Sequence, residues 1–151
     1  MISKSLKETE NIAKDFIKNI KSSKGALVVG LYGDLGSAKT TFTQFVAKTL
    51  GIKEDITSPT FVIEKIYDIK HKDLKRFIHI DAYRLNSAKE LSVLGWQTTV
   101  SDPTNIVFIE WPERVVDILP KDHIKINFKF ISENEREITI CLGKIRLKIE
   151  S

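Results

Sequence analysis

The chain has 151 residues, 42% hydrophobic and 29% charged, which suits a single domain over 1–151 with a sizeable core and excludes a disordered polypeptide. No apolar run approaches the roughly 20 residues that span a bilayer. The polar start Met1-Ile2-Ser3-Lys4-Ser5 has no signal-peptide core, and the one cysteine, Cys141, cannot form an internal disulfide, so a cytoplasmic protein with no membrane contact is expected. Net charge is +4; the lysines are spread along the sequence without a basic–aromatic stripe, so a solvated surface is preferred over a nucleic-acid face and no DNA contact is expected.

Ser3 to Lys21 reads as an amphipathic helix, with Leu6, Thr9, Ala13, Phe16, Ile17 and Ile20 at helical spacing. Ser3 or Ser5 would cap it, with Glu8 completing a capping box. Residues 26–32 form a strand that is apolar on both faces, as a buried central strand requires. The run Gly33-Asp34-Leu35-Gly36-Ser37-Ala38-Lys39-Thr40-Thr41 follows, and a helical pattern from Phe42 to Leu50 leads away from it. Strand, glycine-bearing turn, Lys-Thr and helix make the context of a phosphate-binding loop. Backbone N–H groups of Leu35, Gly36, Ser37, Ala38 and the following residues to Thr41 would converge on an anion at the positive helix end. Lys39 would reach terminal phosphates and the Thr40 hydroxyl would sit on Mg²⁺. The pattern G-x-x-x-x-G-K-[ST] has glycine before the lysine, where this chain has Ala38.

Ile56-Thr57-Ser58-Pro59-Thr60-Phe61 is extended around Pro59. Its three hydroxyls read equally as a self-satisfied Ser/Thr turn or as a switch offering Thr60 to phosphate, metal or water. Strands are expected at 61–67, at 77–81 ending in Asp81, and at 106–110 ending in Glu110. Ser87 would cap a short helix through Leu94, with Glu90 as its N3 partner, and Gly95-Trp96 would end it. After Trp111-Pro112, residues 113–119 form a short helix. The last third alternates polar and apolar residues over 123–130, 136–140 and 144–149, the signature of half-exposed antiparallel strands. Cys141 lies in that pattern and reads as a small buried hydrophobe. The expected fold is α/β: a P-loop NTPase-like three-layer α/β/α arrangement with a mixed sheet and antiparallel C-terminal strands.

Three buried strands thus end in a polar group: the Lys39-Thr40 loop, Asp81 and Glu110. Neighbouring strands of an open α/β sheet bring their C-terminal ends to one crevice. A metal–phosphate site needs such an assembly, and Asp81 and Thr60 are candidates to position an attacking water. Glu110 stands between apolar residues and Trp111, so its carboxylate calls for a cationic neighbour; Trp111 reads as packing or as a contact. His71, His79 and His123 have no metal-ligand spacing and are assigned no chemistry. A guanine-reading Asn-Lys-x-Asp is absent. The five arginines are scattered, which counts against a small-molecule phosphotransferase with an arginine-rich lid.

Four segments in register, Gly33-Asp34-Leu35-Gly36-x-x-Lys39-Thr40-Thr41, Ser58-Pro59-Thr60-Phe61, His79-Ile80-Asp81-Ala82-Tyr83-Arg84-Leu85 and Ile109-Glu110-Trp111-Pro112-Glu113, resemble the bacterial TsaE family. The resemblance covers nearly the whole chain. It implies a Mg²⁺-dependent ATPase of tRNA threonylcarbamoyladenosine biosynthesis that resets a TsaB–TsaD complex and meets tRNA indirectly, through that complex. It also implies ATP or ADP on Lys39, Mg²⁺ on Thr40 and Glu110, hydrolysis supported by Asp81, and a switch over Ser58, Pro59 and Thr60. Thr9 and Arg136 are implied to lie near the nucleotide. Ala38 departs from the family's glycine. A negative φ at residue 38 would leave binding intact; otherwise binding weakens with docking retained, or the chain is a nucleotide-insensitive interaction module.

Overall fold

A computed structural model describes residues 1–21, 24–33, 38–56 and 63–142. Seven strands form one sheet in the order β1-β7-β6-β2-β5-β4-β3. At its centre lie β2 (Leu27–Gly33), β5 (Asn105–Glu110) and β4 (Arg76–Asp81), mutually parallel in the order β2-β5-β4. All of β5, β4 from Phe77 onward, and the middle of β2 are buried, as apolar strands covered on both faces must be. β3 (Glu64–Asp68) closes one edge antiparallel to β4. β6 (Ile124–Phe130) and β7 (Arg136–Leu142) pair antiparallel as their alternation predicts, and β6 also runs parallel to β2. The expected last strand, 144–149, lies outside the described residues. Cys141 is half-buried on β7 rather than buried, because the strand presents that position to a partly open face.

α1 (Leu6–Asn19) and α2 (Lys39–Thr49) cover one face, and α3 (Ala88–Val93) and α4 (Trp96–Ser101) belong to the other. The first layer packs through aromatic rings: Phe16 against Phe42 and Phe108, each at 6.2 Å, and Phe42 against Phe128 at 5.5 Å. The second is anchored by Trp96, whose indole donates to Ile118 O at 3.2 Å. Among the described residues no helix is long and apolar enough to cross a membrane.

Several local expectations are corrected. The N-terminal helix starts at Leu6, because Ile2–Ser3 form β1 against β7 and Ser5 caps the helix by accepting from Glu8 N at 3.1 Å. Leu6 is exposed, and Ile12 takes its place in the apolar stripe. Ser87 makes no side-chain cap; Glu90 instead accepts from Asn86 N at 3.2 Å. Gly95, at φ 82°, starts a second helix rather than ending the region. Residues 113–119 give two short 3₁₀ turns, Pro112–Arg114 and Val116–Ile118, since Val115 at φ −130° interrupts the run.

Candidate nucleotide-binding site

The register of the central strands builds the site. Leu31 pairs with Glu110, and Glu110 pairs with Asp81, so both carboxylates stand side by side where the strands end. The Ala82 N–H donates to Glu110 O at 2.9 Å and fixes that exit. β2 leads through the loop into α2, whose first residues are Lys39, Thr40 and Thr41. The first N–H groups of a helix have no intrahelical partner, so this end is a donor-rich, positive environment. A cavity of about 460 Å³ opens here, lined by Ala38, Lys39, Thr40, Thr41, Asp81, Glu110 and Trp111, and on its other wall by Ser3, Ser5, Leu6, Thr9, Glu133, Asn134 and Arg136.

Within the cavity the polar groups are oriented by one another. The Thr40 hydroxyl donates to Glu110 Oε1 at 3.3 Å, and His79 Nε2 lies 3.5 Å from Glu110 Oε2. His79 is fully buried and Glu110 nearly so. Besides the Thr40 hydroxyl, the buried carboxylate therefore has beside it the ring of His79, a residue without metal-ligand spacing in the sequence. Strand period 2 was the available signal, since His79 shares its face with Asp81. Asp81 accepts from the Tyr83 N–H at 2.9 Å, a short turn that holds the carboxylate at the strand end.

Lys39 is buried; its Nζ donates to Gly33 O at 2.8 Å and lies 4.6 Å from the centre of the Trp111 ring. Trp111 leans on Tyr83 at 5.2 Å, and Arg114 covers Tyr83 at 5.4 Å. Trp111 thus lines the cavity and touches the loop lysine, so packing and contact are one role.

Two non-glycine residues among those described have left-handed backbones, and both border this cavity: Ala38 at φ 77° and Trp111 at φ 59°. Unstrained alanine at position 38 requires a negative φ, and that condition is not met. A left-handed L-residue costs about 1–2 kcal/mol, which glycine would avoid. Ala38 also precedes α2 with no side-chain cap.

The opposite wall comes from parts of the chain that are far apart in sequence. β1 pairs Ser3 with Arg136 of β7. Thr9 is buried, with its hydroxyl 2.7 Å from Ser3 Oγ. The Arg136 guanidinium turns into its own hairpin, donating to the carbonyls of Ser132, Glu133 and Glu135, and stacks on Phe130 at 4.8 Å. Thr9 and Arg136 therefore both line the cavity while bonded to their own surroundings. Ser3, Glu133 and Asn134 join them without a sequence signal, because only the β1–β7 pairing brings them there. Leu35, Gly36, Ser37, Ser58, Pro59 and Thr60 lie outside the described residues.

The donor set is chemically coherent. A hydroxyl and two carboxylates are hard oxygen donors, suited to a small divalent cation such as Mg²⁺, which takes few protein ligands and completes its shell with water and phosphate. No cluster of three or more His, Cys, Asp or Glu suited to an all-protein metal cage occurs among the described residues.

The family profile "Threonylcarbamoyl adenosine biosynthesis protein TsaE" matches residues 3–138. The chain is similar to the tRNA threonylcarbamoyladenosine biosynthesis protein TsaE of Borreliella burgdorferi, 36% identical over 129 residues covering 85% of this chain and 89% of that protein. It is 35% identical to the protein of the same name from Bacillus subtilis over 132 residues, 87% and 78% of the two chains. The crystal structure of Bacillus subtilis YdiB superposes with a TM-score of 0.73 at 28% identity, covering 95% of this chain and 84% of that one. The matched span runs from β1 to β7 and contains every described residue of the cavity, so the chain belongs to the TsaE family.

Proposed function

We propose that this chain is the Mg²⁺-dependent ATPase component of tRNA threonylcarbamoyladenosine biosynthesis, acting in the cytoplasm with a TsaB–TsaD complex and serving tRNA through it. The observation that supports this most is the meeting of Lys39, Thr40, Asp81 and Glu110, from three strand ends, around one cavity. Lys39 would leave the Gly33 carbonyl to neutralise terminal phosphates, with Trp111 holding its stem in place. Thr40 and Glu110, already in contact, would hold Mg²⁺. When bound, that ion would neutralise phosphate charge and polarise the oxygens around the transferred phosphorus. Asp81 would orient the water that attacks, its carboxylate aimed by the Tyr83 amide. The helix end before Thr41 would supply N–H donors.

Phosphate release from ATP by the full-length chain, with and without TsaB–TsaD, tests the reading; Mg²⁺-dependent turnover that rises with the partners is expected. No turnover in either case from folded protein would sink it as an enzyme. The left-handed Ala38 favours one other reading, a nucleotide-insensitive docking module. Calorimetry with Mg·ADP separates the two, since micromolar binding excludes the module.

A further inference from the structure

The excess positive charge sits in two segments that are distant in sequence and adjacent in the fold. Residues 14–24 hold Lys14, Lys18, Lys21 and Lys24 against Asp15, and residues 70–76 hold Lys70, Lys72, Lys75 and Arg76 against Asp73. Each segment carries a net +3, so the rest of the chain carries −2 within the total of +4. The fold brings the two together. The last turns of α1 and the turn between β3 and β4 border one hollow of about 510 Å³, in which Lys14, Lys18, Lys21, His71 and Lys72 meet a single carboxylate, Asp73.

The lysines of both segments are exposed. Lys14 is engaged by Glu10 at 3.1 Å, but Lys18, Lys21 and Lys72 enter no ion pair among the described residues. His71 accepts from the Asp73 N–H through Nδ1 at 3.1 Å, so its neutral ring carries the proton on Nε2 and adds a further donor. In the hollow four lysines therefore face a single carboxylate, with Asn19 and Thr49 as neutral polar neighbours. It lies at the opposite end of α1 from the cavity: Ser5, Leu6 and Thr9 line the cavity, and Lys18 sits near the other end of a 14-residue helix about 20 Å long.

We infer that this basic face docks the sugar–phosphate backbone of tRNA directly, apart from the nucleotide cavity and in addition to the indirect access to tRNA that the partner complex gives. The class of partner follows from charge complementarity and from the family to which the chain belongs, whose biosynthetic product is a modified tRNA nucleoside. Lysines are point charges that attract phosphate without reading bases, so the docking is backbone-directed and salt-sensitive. The inference does not depend on ATP hydrolysis.

The test uses the full-length chain and an unmodified tRNA transcript, followed by fluorescence anisotropy across a salt series. The triple variant Lys18→Glu, Lys21→Glu, Lys72→Glu is compared with Lys89→Glu, Lys121→Glu, Lys129→Glu, which makes the same charge change at exposed positions elsewhere. The first is expected to bind at least about tenfold more weakly, with the slope of log affinity against log salt shallower by about 2–3; the second stays within about threefold of the parent. Thermal melting confirms that both fold. Should the first triple fail to fold, Lys18→Gln and Lys72→Gln singly should each flatten the slope by about 1. Absence of tRNA binding at low salt, equal loss in both triples, or equal binding of polyglutamate of matched charge would overturn the inference.

Discussion

The two halves of the sheet do different work. β2, β5 and β4 are parallel and largely buried; β4 ends in Asp81, β5 in Glu110, and β2 precedes the Lys39-Thr40 start of α2. β6, β7 and β1 alternate buried and exposed residues and end in no such group; they supply a wall, through Ser3, Glu133, Asn134 and Arg136. A parallel strand needs a crossover to return, and each crossover leaves a strand end open at the same edge, where a carboxylate or a helix N-terminus can stand. An antiparallel hairpin turns back at once and closes its edge, so what it offers the cavity is a turn, not a strand end. The groups to which we assign the proposed chemistry are concentrated in one half for a topological reason.

Phe42 belongs to a chain of rings that links the halves beside the β2–β6 pairing: it meets Phe128 on β6 and Phe16 on α1, and Phe16 meets Phe108 on β5. Phe42→Ala should lower global stability by about 3–5 kcal/mol in chemical denaturation; a loss below ~1 kcal/mol would mean the halves are not coupled through this ring. Asp81→Asn removes a charge from the parallel edge alone. It should cut ATP turnover about 100-fold while Mg·ADP binding and the melting temperature stay close to the parent; an equal fall in affinity would make Asp81 a binding group. Ala38→Gly relieves about 1–2 kcal/mol of left-handed strain against about 0.5–1 kcal/mol of added chain entropy, a net gain between about 0 and 1.5 kcal/mol in stability. Tighter Mg·ADP binding should accompany it, and equal affinity would show that the alanine is harmless.

The smallest effect belongs to the edge strand β3. Burial pushes the Glu64 carboxyl above its usual 4.5. A raised acid contributes stability that is present below its unfolded pKa and lost as pH rises through the folded one. Glu64→Gln should therefore stabilise the protein at neutral pH, and the difference should vanish well below the unfolded pKa, at about pH 3, where both side chains are neutral. A gain that does not change with pH would point to packing instead.

The same division explains which parts of the site are legible in the sequence. The parallel strands are continuous apolar runs with a polar terminal residue, so Asp81, Glu110 and the Lys39-Thr40 turn stand out from their local pattern alone. The antiparallel wall does not: Ser3 looks like a helix cap, and nothing local says that it pairs with Arg136 near the other end of the chain. His79 has no metal-ligand spacing, and its place beside Glu110 follows from strand phase instead. The 3₁₀ turns at 112–118 are hidden because apolar spacing at i, i+3 suits both helix types. The basic face is hidden because its lysines are far apart in sequence and meet only where α1 ends beside the β3–β4 turn.

On the proposed function, the parallel edge binds phosphate despite Ala38. Titrating Mg·ADP into the full-length chain and into Lys39→Ala by calorimetry tests it most directly. One-to-one micromolar binding by the parent and at least a tenfold loss in the variant are predicted, with both proteins folded. No binding by the parent, or equal binding by both, would contradict it.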